Sequence, residues 1–149
     1  MRVDYAHVLP DAMVAILVLE RVVHESTLET RLVELVKLRA SQINGCARCV
    51  EMHTEDARAV GEDQKRLDLV AVWPDALSFT GRERAALGWC ETLTLVADTG
   101  ATDDSYQQVQ EHFDEVEIVA LTLAIAAINV WNRLNVGLGA PVGGYVPPP

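Results

Sequence analysis

Cys46, Cys49 and His53 are the residues of this chain whose types and spacing can do chemistry, and they follow directly on an Asn44-Gly45 break. If a helix starts after that break, positions i, i+3 and i+7 share one face, so two thiols and an imidazole stack on the same side. The thiolate, not the thiol, is the nucleophile, and a helix N-terminus lowers a thiol pKa because its unpaired N–H groups favour negative charge. Cys46 lies nearest that end. His53, four residues beyond Cys49, can reach the second sulfur and take its proton. Cysteines at i and i+3 also fall in the ~4.4–6.8 Å Cα separation that a disulfide accepts. The chemistry this suits is thiol redox. One thiolate attacks an O–O bond and becomes a sulfenic acid, the other condenses with it to a disulfide, and an external dithiol restores both.

Glu34 is the fourth element, twelve residues before Cys46 on a stretch otherwise rich in Leu and Val. An antiparallel helical hairpin through Asn44-Gly45 brings it alongside the cysteine helix. Its carboxylate can then orient His53, or exchange a proton with it through water.

Plainer readings stand beside these. Cys46 and Cys49 could be small buried apolar residues. They could instead form a zinc site with His53 and Glu34, although structural zinc usually draws on two knuckles and no second Cys/His pair follows. His53 could be a hydrogen-bonded helix histidine, and Glu34 a surface residue paired with Lys37 or Arg31. Trp89, Trp131 and Met52 read as core or interface, Cys90 as a buried structural thiol, and Glu83 and Glu91 as a capping residue and a solvated face. His7, His24 and His112 have no constellation around them.

The elements that must position these groups read as all-helical, since helical periodicity recurs and no alternating strand pattern persists. Pro10 suits the first position of a helix running to about His24. Ser26-Thr-Leu-Glu29 has the form of a capping box, opening a helix that carries Leu28, Leu32, Leu35, Val36 and Leu38 and stops near Asn44-Gly45. The cysteine helix runs from about Cys46 to Val60, with Gly61 as its break. A short helix over Asp63–Val72 is expected to end before Trp73-Pro74. Thr80-Gly-Arg-Glu83 is a second capping box, opening a helix to about Ala97. Thr102 can cap a helix through about His112, and Asp114 starts a last long helix to about Leu138. The tail 140–149, with its prolines and glycines, is expected to be extended. One domain accounts for residues 1–149, with no repeat and no charge block.

Half of the residues are apolar and the formal net charge is −10. The first figure excludes a disordered chain, and the second argues against nucleic acid or an anionic membrane surface as partner. The longest apolar run, Ile118 to Ile128, is too short to cross a bilayer, and the N-terminal stretch makes a poor signal peptide. The expected address is cytoplasmic, where a Cys-x-x-Cys pair is more often catalytic or metal-binding than structural. The last helix is apolar nearly all round, which in a chain of this size points to an oligomer.

The spacing Glu-(eleven residues)-Cys-x-x-Cys-x-x-x-His resembles the AhpD-like alkylhydroperoxidases of the carboxymuconolactone decarboxylase superfamily. Arg39-Ala-Ser-Gln-Ile-Asn-Gly-Cys46, Glu83-Arg-Ala-Ala-Leu, Trp89-Cys-Glu-Thr92 and Asn129-Val-Trp-Asn-Arg-Leu-Asn135 extend the resemblance over roughly residues 26 to 138. It implies an all-α bundle of about six to seven helices, assembled as trimers or hexamers. It implies a peroxidatic Cys49, a resolving Cys46, and a proton relay through Glu34 and His53. No metal, flavin or haem is expected. The substrate is expected to be a small hydroperoxide, and the reductant a dithiol, either a lipoyl protein or thioredoxin-like. One position departs from the pattern: where relatives carry a second histidine between the cysteines, this chain has Arg48. An arginine stays charged and cannot relay a proton, though it can stabilise a thiolate or Glu34. Members that decarboxylate a lactone usually lack the cysteine pair, so the pair favours redox chemistry. The competing readings are a lyase using His53 and Glu34 as acid and base, and a non-enzymatic redox sensor.

Overall fold

In the computed structural model, which describes residues 1–148, every regular element is helical. Counting helices of six or more residues gives seven: α2 (Pro10–His24), α3 (Thr30–Ile43), α4 (Ala47–Ala59), α5 (Gln64–Leu69), α6 (Gly81–Thr94), α8 (Asp103–Gln110) and α9 (Glu115–Leu138). Two four-residue turns, α1 (Tyr5–Val8) and α7 (Val96–Thr99), and a 3₁₀ segment over Val70–Asp75 complete the order.

α3 is the axis of the bundle. Its apolar residues recur at helical spacing, and Leu32, Leu35, Val36 and Leu38 are all buried. Burying one such side chain contributes about 1.5–3 kcal/mol, so this stripe fixes where α3 lies. α4, α6 and α9 pack around it. Two clusters share the resulting core. The larger joins Val36 and Ala40 of α3 to Cys90 of α6 and to Leu121, Ile125 and Ile128 of α9. The smaller packs Leu35 and Leu38 against Leu67, Val70, Phe79 and Leu87. α9 is long and apolar enough, by length and composition alone, to cross a membrane. The bundle buries 44% of that apolar stretch, including Leu121, Ala124, Ile125 and Ile128, and leaves Val119 and Val130 exposed.

Most helix ends follow the expected chemistry. Thr80 with Glu83, and Asp114 with Glu117, form complete capping boxes, and Thr102 caps α8. Ser26 does not cap α3. Its hydroxyl donates to the Val23 carbonyl at 2.6 Å and so finishes α2 instead. α3 starts at Thr30 behind Glu29, whose carboxylate is bonded to Arg82. The helical run does break before Trp73-Pro74, as expected: Val72 leaves the helical region at φ −123° and ψ 28°, which puts a kink inside the 3₁₀ segment. Arg84 holds this segment by donating to the carbonyls of Trp73, Pro74 and Ala76. α6 stops at Thr94, earlier than its pattern suggests, because the backbone leaves the helical region at Leu95 before the single turn of α7. α8 likewise stops at Gln110, short of His112.

The tail beyond α9 has no regular structure but is not loose. Arg48 Nη1 donates to Pro141 O at 3.0 Å, Gly143 N donates to Glu51 at 2.8 Å, and Tyr145 Oη donates to Asp56 at 2.7 Å. These three bonds lay residues 141–145 along α4. The last residue of the expected extended tail, Pro149, lies outside the described residues.

Candidate active site

The turn between α3 and α4 builds the site. Gly45 has φ +64°, a left-handed conformation that costs L side chains but not glycine, and it reverses the chain within two residues. Asn44 anchors the turn: its amide nitrogen lies 3.0 Å from Ala40 O, 3.0 Å from Asn129 Oδ1 and 2.8 Å from Asn132 Oδ1. α3, the turn and α9 are therefore tied at one point, from which α4 starts.

Cys46 is the N-cap of α4, and its sulfur accepts from the Cys49 N–H at 3.3 Å. The two cysteines are bonded as a disulfide with a Cα separation of 5.3 Å, inside the range expected of an i, i+3 pair. Both sulfur-bearing residues are 2% exposed. A cavity of about 340 Å³ opens beside them, lined by Cys49 and His53 but not by Cys46. Leu17, Met52, Ile128 and Trp131 give it apolar walls, and Tyr5, Asn135 and Arg48 border it as well. Met52 and Trp131 therefore face this cavity, and Trp131 also packs against the larger core cluster, as its type suggested.

Glu34 lies across the hairpin from His53, with Oε2 2.8 Å from Nδ1. Both residues are buried. Burial alone would raise the Glu34 pKa. The hydrogen bond from His53, with the charges of His53, Lys37 and His24, outweighs it, and the carboxyl is held below its ordinary range. With Nδ1 committed to Glu34, the imidazole's exchange with the cavity is left to Nε2. Neither neighbour proposed for Glu34 as a surface residue takes it: Lys37 binds Glu20 at 2.5 Å, and Arg31 binds Glu62 at 3.1 Å. Glu20 also accepts from Trp131 Nε1 at 3.1 Å, so this acid–base pair is part of the cavity wall.

Cys49 has a polar partner that spacing could not reveal. Asn135 Nδ2, from the last turns of α9, lies 3.2 Å from Cys49 Sγ, and Tyr5 Oη donates to Asn135 Oδ1 at 2.7 Å. Arg48, between the two cysteines, borders the cavity and donates to Pro141 O. Glu91 is half-buried and also holds two partners: it accepts from Arg39 and from Trp73 Nε1, each near 2.8 Å.

The zinc reading needs both thiolates, which the pair offers only once its disulfide is reduced. Glu34, His53 and Asp56 do bring one ligand atom each within 4.8 Å of one another. Those donors already satisfy neighbours, since Glu34 holds His53 and Asp56 accepts from Tyr145. Asp56 is only 4.0 Å from His53 Nδ1; burial and the Glu34 charge leave its pKa raised, though Tyr145 and His53 act the other way.

Comparison with known proteins identifies the family and the fold. The chain is 38% identical over 138 residues to the uncharacterized protein YdfG of Bacillus subtilis, covering 93% of this chain and 94% of that one. Its fold superposes with a TM-score of 0.93, at 44% identity and with 97% and 99% of the two chains covered, on ATU0492 of Agrobacterium tumefaciens. That protein is of unknown function and is offered as a candidate antioxidant defence protein AhpD. The fold also matches, with a TM-score of 0.82 and 21% identity, the AhpD core of a peroxidase-related protein from Ralstonia eutropha, covering 93% of this chain and 74% of that one. The sequence pattern of the carboxymuconolactone decarboxylase family matches residues 10–92, which hold the whole Glu34–His53 constellation. The chain belongs to the carboxymuconolactone decarboxylase family, and its fold is AhpD-like.

Proposed function

We propose that this protein is a thiol-dependent peroxidase of the AhpD type, reducing organic hydroperoxides through a Cys46/Cys49 dithiol–disulfide cycle. The observation that carries the reading is the junction at Cys49. Its sulfur is bonded to that of Cys46 on one side, and the residue borders a cavity that it shares with His53 on the other.

The cycle starts from the dithiol. His53 Nε2 takes the Cys49 proton while Glu34 steadies the imidazole through Nδ1. The Cys49 thiolate attacks one peroxide oxygen: an S–O bond forms, the O–O bond breaks, and the leaving alkoxide takes a proton from His53 to become an alcohol. Cys49 is now a sulfenic acid. The Cys46 sulfur, held at the N-cap, attacks it, and water leaves as the disulfide forms. An external dithiol then reduces the pair by two exchange steps. That Cys49 and not Cys46 borders the cavity supports Cys49 as the attacking sulfur. The apolar walls suit an alkyl or aryl group, and Arg48 adds a positive charge toward the developing oxyanion.

Assembly into a homo-oligomer, a trimer or hexamer, belongs to the same proposal. Val14, Leu17, Val18 and Val22 of α2 and Val116, Val119 and Val130 of α9 leave apolar surface exposed on one chain. Leu17 also lines the cavity, so a second copy on α2 would lie beside the site. A reducing cytoplasm is the compartment in which such a cycle would be recharged.

The test is consumption of cumene hydroperoxide by the wild type and by each cysteine variant, with lipoyl-type and thioredoxin-like reductants compared. Sustained turnover that needs both cysteines is the expected result. A lyase using His53 and Glu34 alone would survive loss of both thiols. A redox sensor would lose its thiols stoichiometrically without sustained turnover.

A further inference from the structure

The hydrogen bond that Cys49 receives from Asn135 belongs to a chain running through three elements. Tyr5 of α1 donates to Asn135 Oδ1 at 2.7 Å, and Asn135 Nδ2 of α9 lies 3.2 Å from Cys49 Sγ of α4. Asn135 is 7% exposed and Cys49 2%, so water competes little for this bond. The N-terminal segment that carries Tyr5 is fastened to the same end of α9. Arg2 N donates to Leu138 O at 2.7 Å, and Arg2 Nη1 to Gly137 O at 3.0 Å. A carboxamide has one acceptor end and one donor end. Tyr5 occupies the acceptor end, which directs the donor end at the sulfur. A thiolate accepts such a bond far better than a neutral thiol or a disulfide sulfur does, so the bond favours the charged form.

We infer that Asn135, oriented by Tyr5, is the positioning residue that stabilises the Cys49 thiolate. The charged and titratable groups around this sulfur are His53 and Arg48 on α4, Glu34 and Lys37 on α3, Glu20 on α2 and Tyr5 on α1. Asn135 adds to their field without titrating, so its effect holds across the working pH range. It also supplies from α9 a donor at the sulfur, beside the fixed charge of Arg48. The inference rests on the peroxidase reading only in taking Cys49 as the attacking sulfur.

The experiment measures thiolate absorbance at 240 nm against pH in the reduced, full-length Cys46→Ser protein. A Cys46→Ser/Cys49→Ser double variant supplies the baseline, and serine keeps an N-cap acceptor for α4. Asn135→Ala in this background is expected to raise the Cys49 midpoint by about one pH unit, a roughly tenfold loss of thiolate at pH values below both midpoints. Tyr5→Phe, which keeps the amide but frees its orientation, is expected to raise the midpoint by a few tenths. A merely structural role would lower stability and leave both midpoints in place. An unmoved midpoint in Asn135→Ala, with circular dichroism unchanged, overturns the inference. Should Asn135→Ala not fold, Tyr5→Phe decides: a rise supports the role and an unmoved midpoint removes it. No peroxide enters this measurement. Failure of the peroxidase reading would therefore appear separately, as absent turnover in the wild type with the midpoint shift still present.

Discussion

Cys49 and Cys90 are equally hidden from solvent and yet have opposite surroundings. Cys49, 2% exposed, lies in the first turn of α4, receives an N–H from Asn135, and borders a cavity. Cys90, fully buried, lies inside α6 and turns its sulfur to the Val36 carbonyl at 3.3 Å, an acceptor. Burial pushes the Cys90 thiol up to about 12, and neither Thr94 nor the more distant Arg39 offsets it. The comparison separates two effects that burial figures merge. Removing water penalises any thiolate, but N–H groups at a helix start return stabilisation to the anion, whereas a carbonyl stabilises the protonated thiol. On the proposed function, what would make one sulfur a reagent and the other a piece of core is the sign of the dipoles around it.

The largest expected effect comes from exchanging the two sulfurs' fates. Cys49→Ser is expected to drop hydroperoxide consumption to background, while Cys90→Ala retains most of it; steady-state assays with a dithiol measure both. Equal loss in the two variants would erase the distinction. Cys46→Ser comes next. It should still consume one equivalent of peroxide, leaving a sulfenic acid at Cys49 that dimedone traps for mass spectrometry, and then stop.

Glu34→Gln is expected to slow turnover by about 10²-fold, since it removes the charge that orients and supports His53. It should also destabilise the fold by about 1–3 kcal/mol at neutral pH. The pH dependence has a definite sign. Because the folded-state pKa of Glu34 lies below its ordinary 4.5, the carboxylate's contribution is fully present above that value and is lost as pH falls through the folded-state value. Melting temperatures of wild type and Glu34→Gln should thus differ most near neutrality and converge in acid. A gap that widens in acid would mean that the His53 pair does not hold the carboxylate in its charged form. The smallest effect is on the inert sulfur. Cys90→Ala should cost about 1 kcal/mol by urea denaturation, the loss of one buried group and nothing chemical.

The sequence is explicit about the local half of the site. Spacing places Cys46, Cys49 and His53 on one helix, and the Asn44-Gly45 break puts the sulfurs at its start. It misleads where a local motif has a competing partner. Ser26 matches a capping box, yet its hydroxyl is spent on Val23 O. Met52 and Trp131 are apolar at helical spacing, which is equally the pattern of a core and of a cavity wall.

The chain by itself therefore determined the helices, their order and the register of the two thiols and the imidazole, because those depend on contacts within about one helical turn. Only the tertiary structure decided that Glu34 meets His53 across the hairpin, that Asn135 and Tyr5 reach Cys49 from 86 and 130 residues away along successive links, and that a cavity opens on Cys49 alone. Those outcomes follow from how α3, α4 and α9 pack. Packing is set by apolar surface, which is non-directional, and so it leaves no spacing rule in the sequence for the polar partners it brings together.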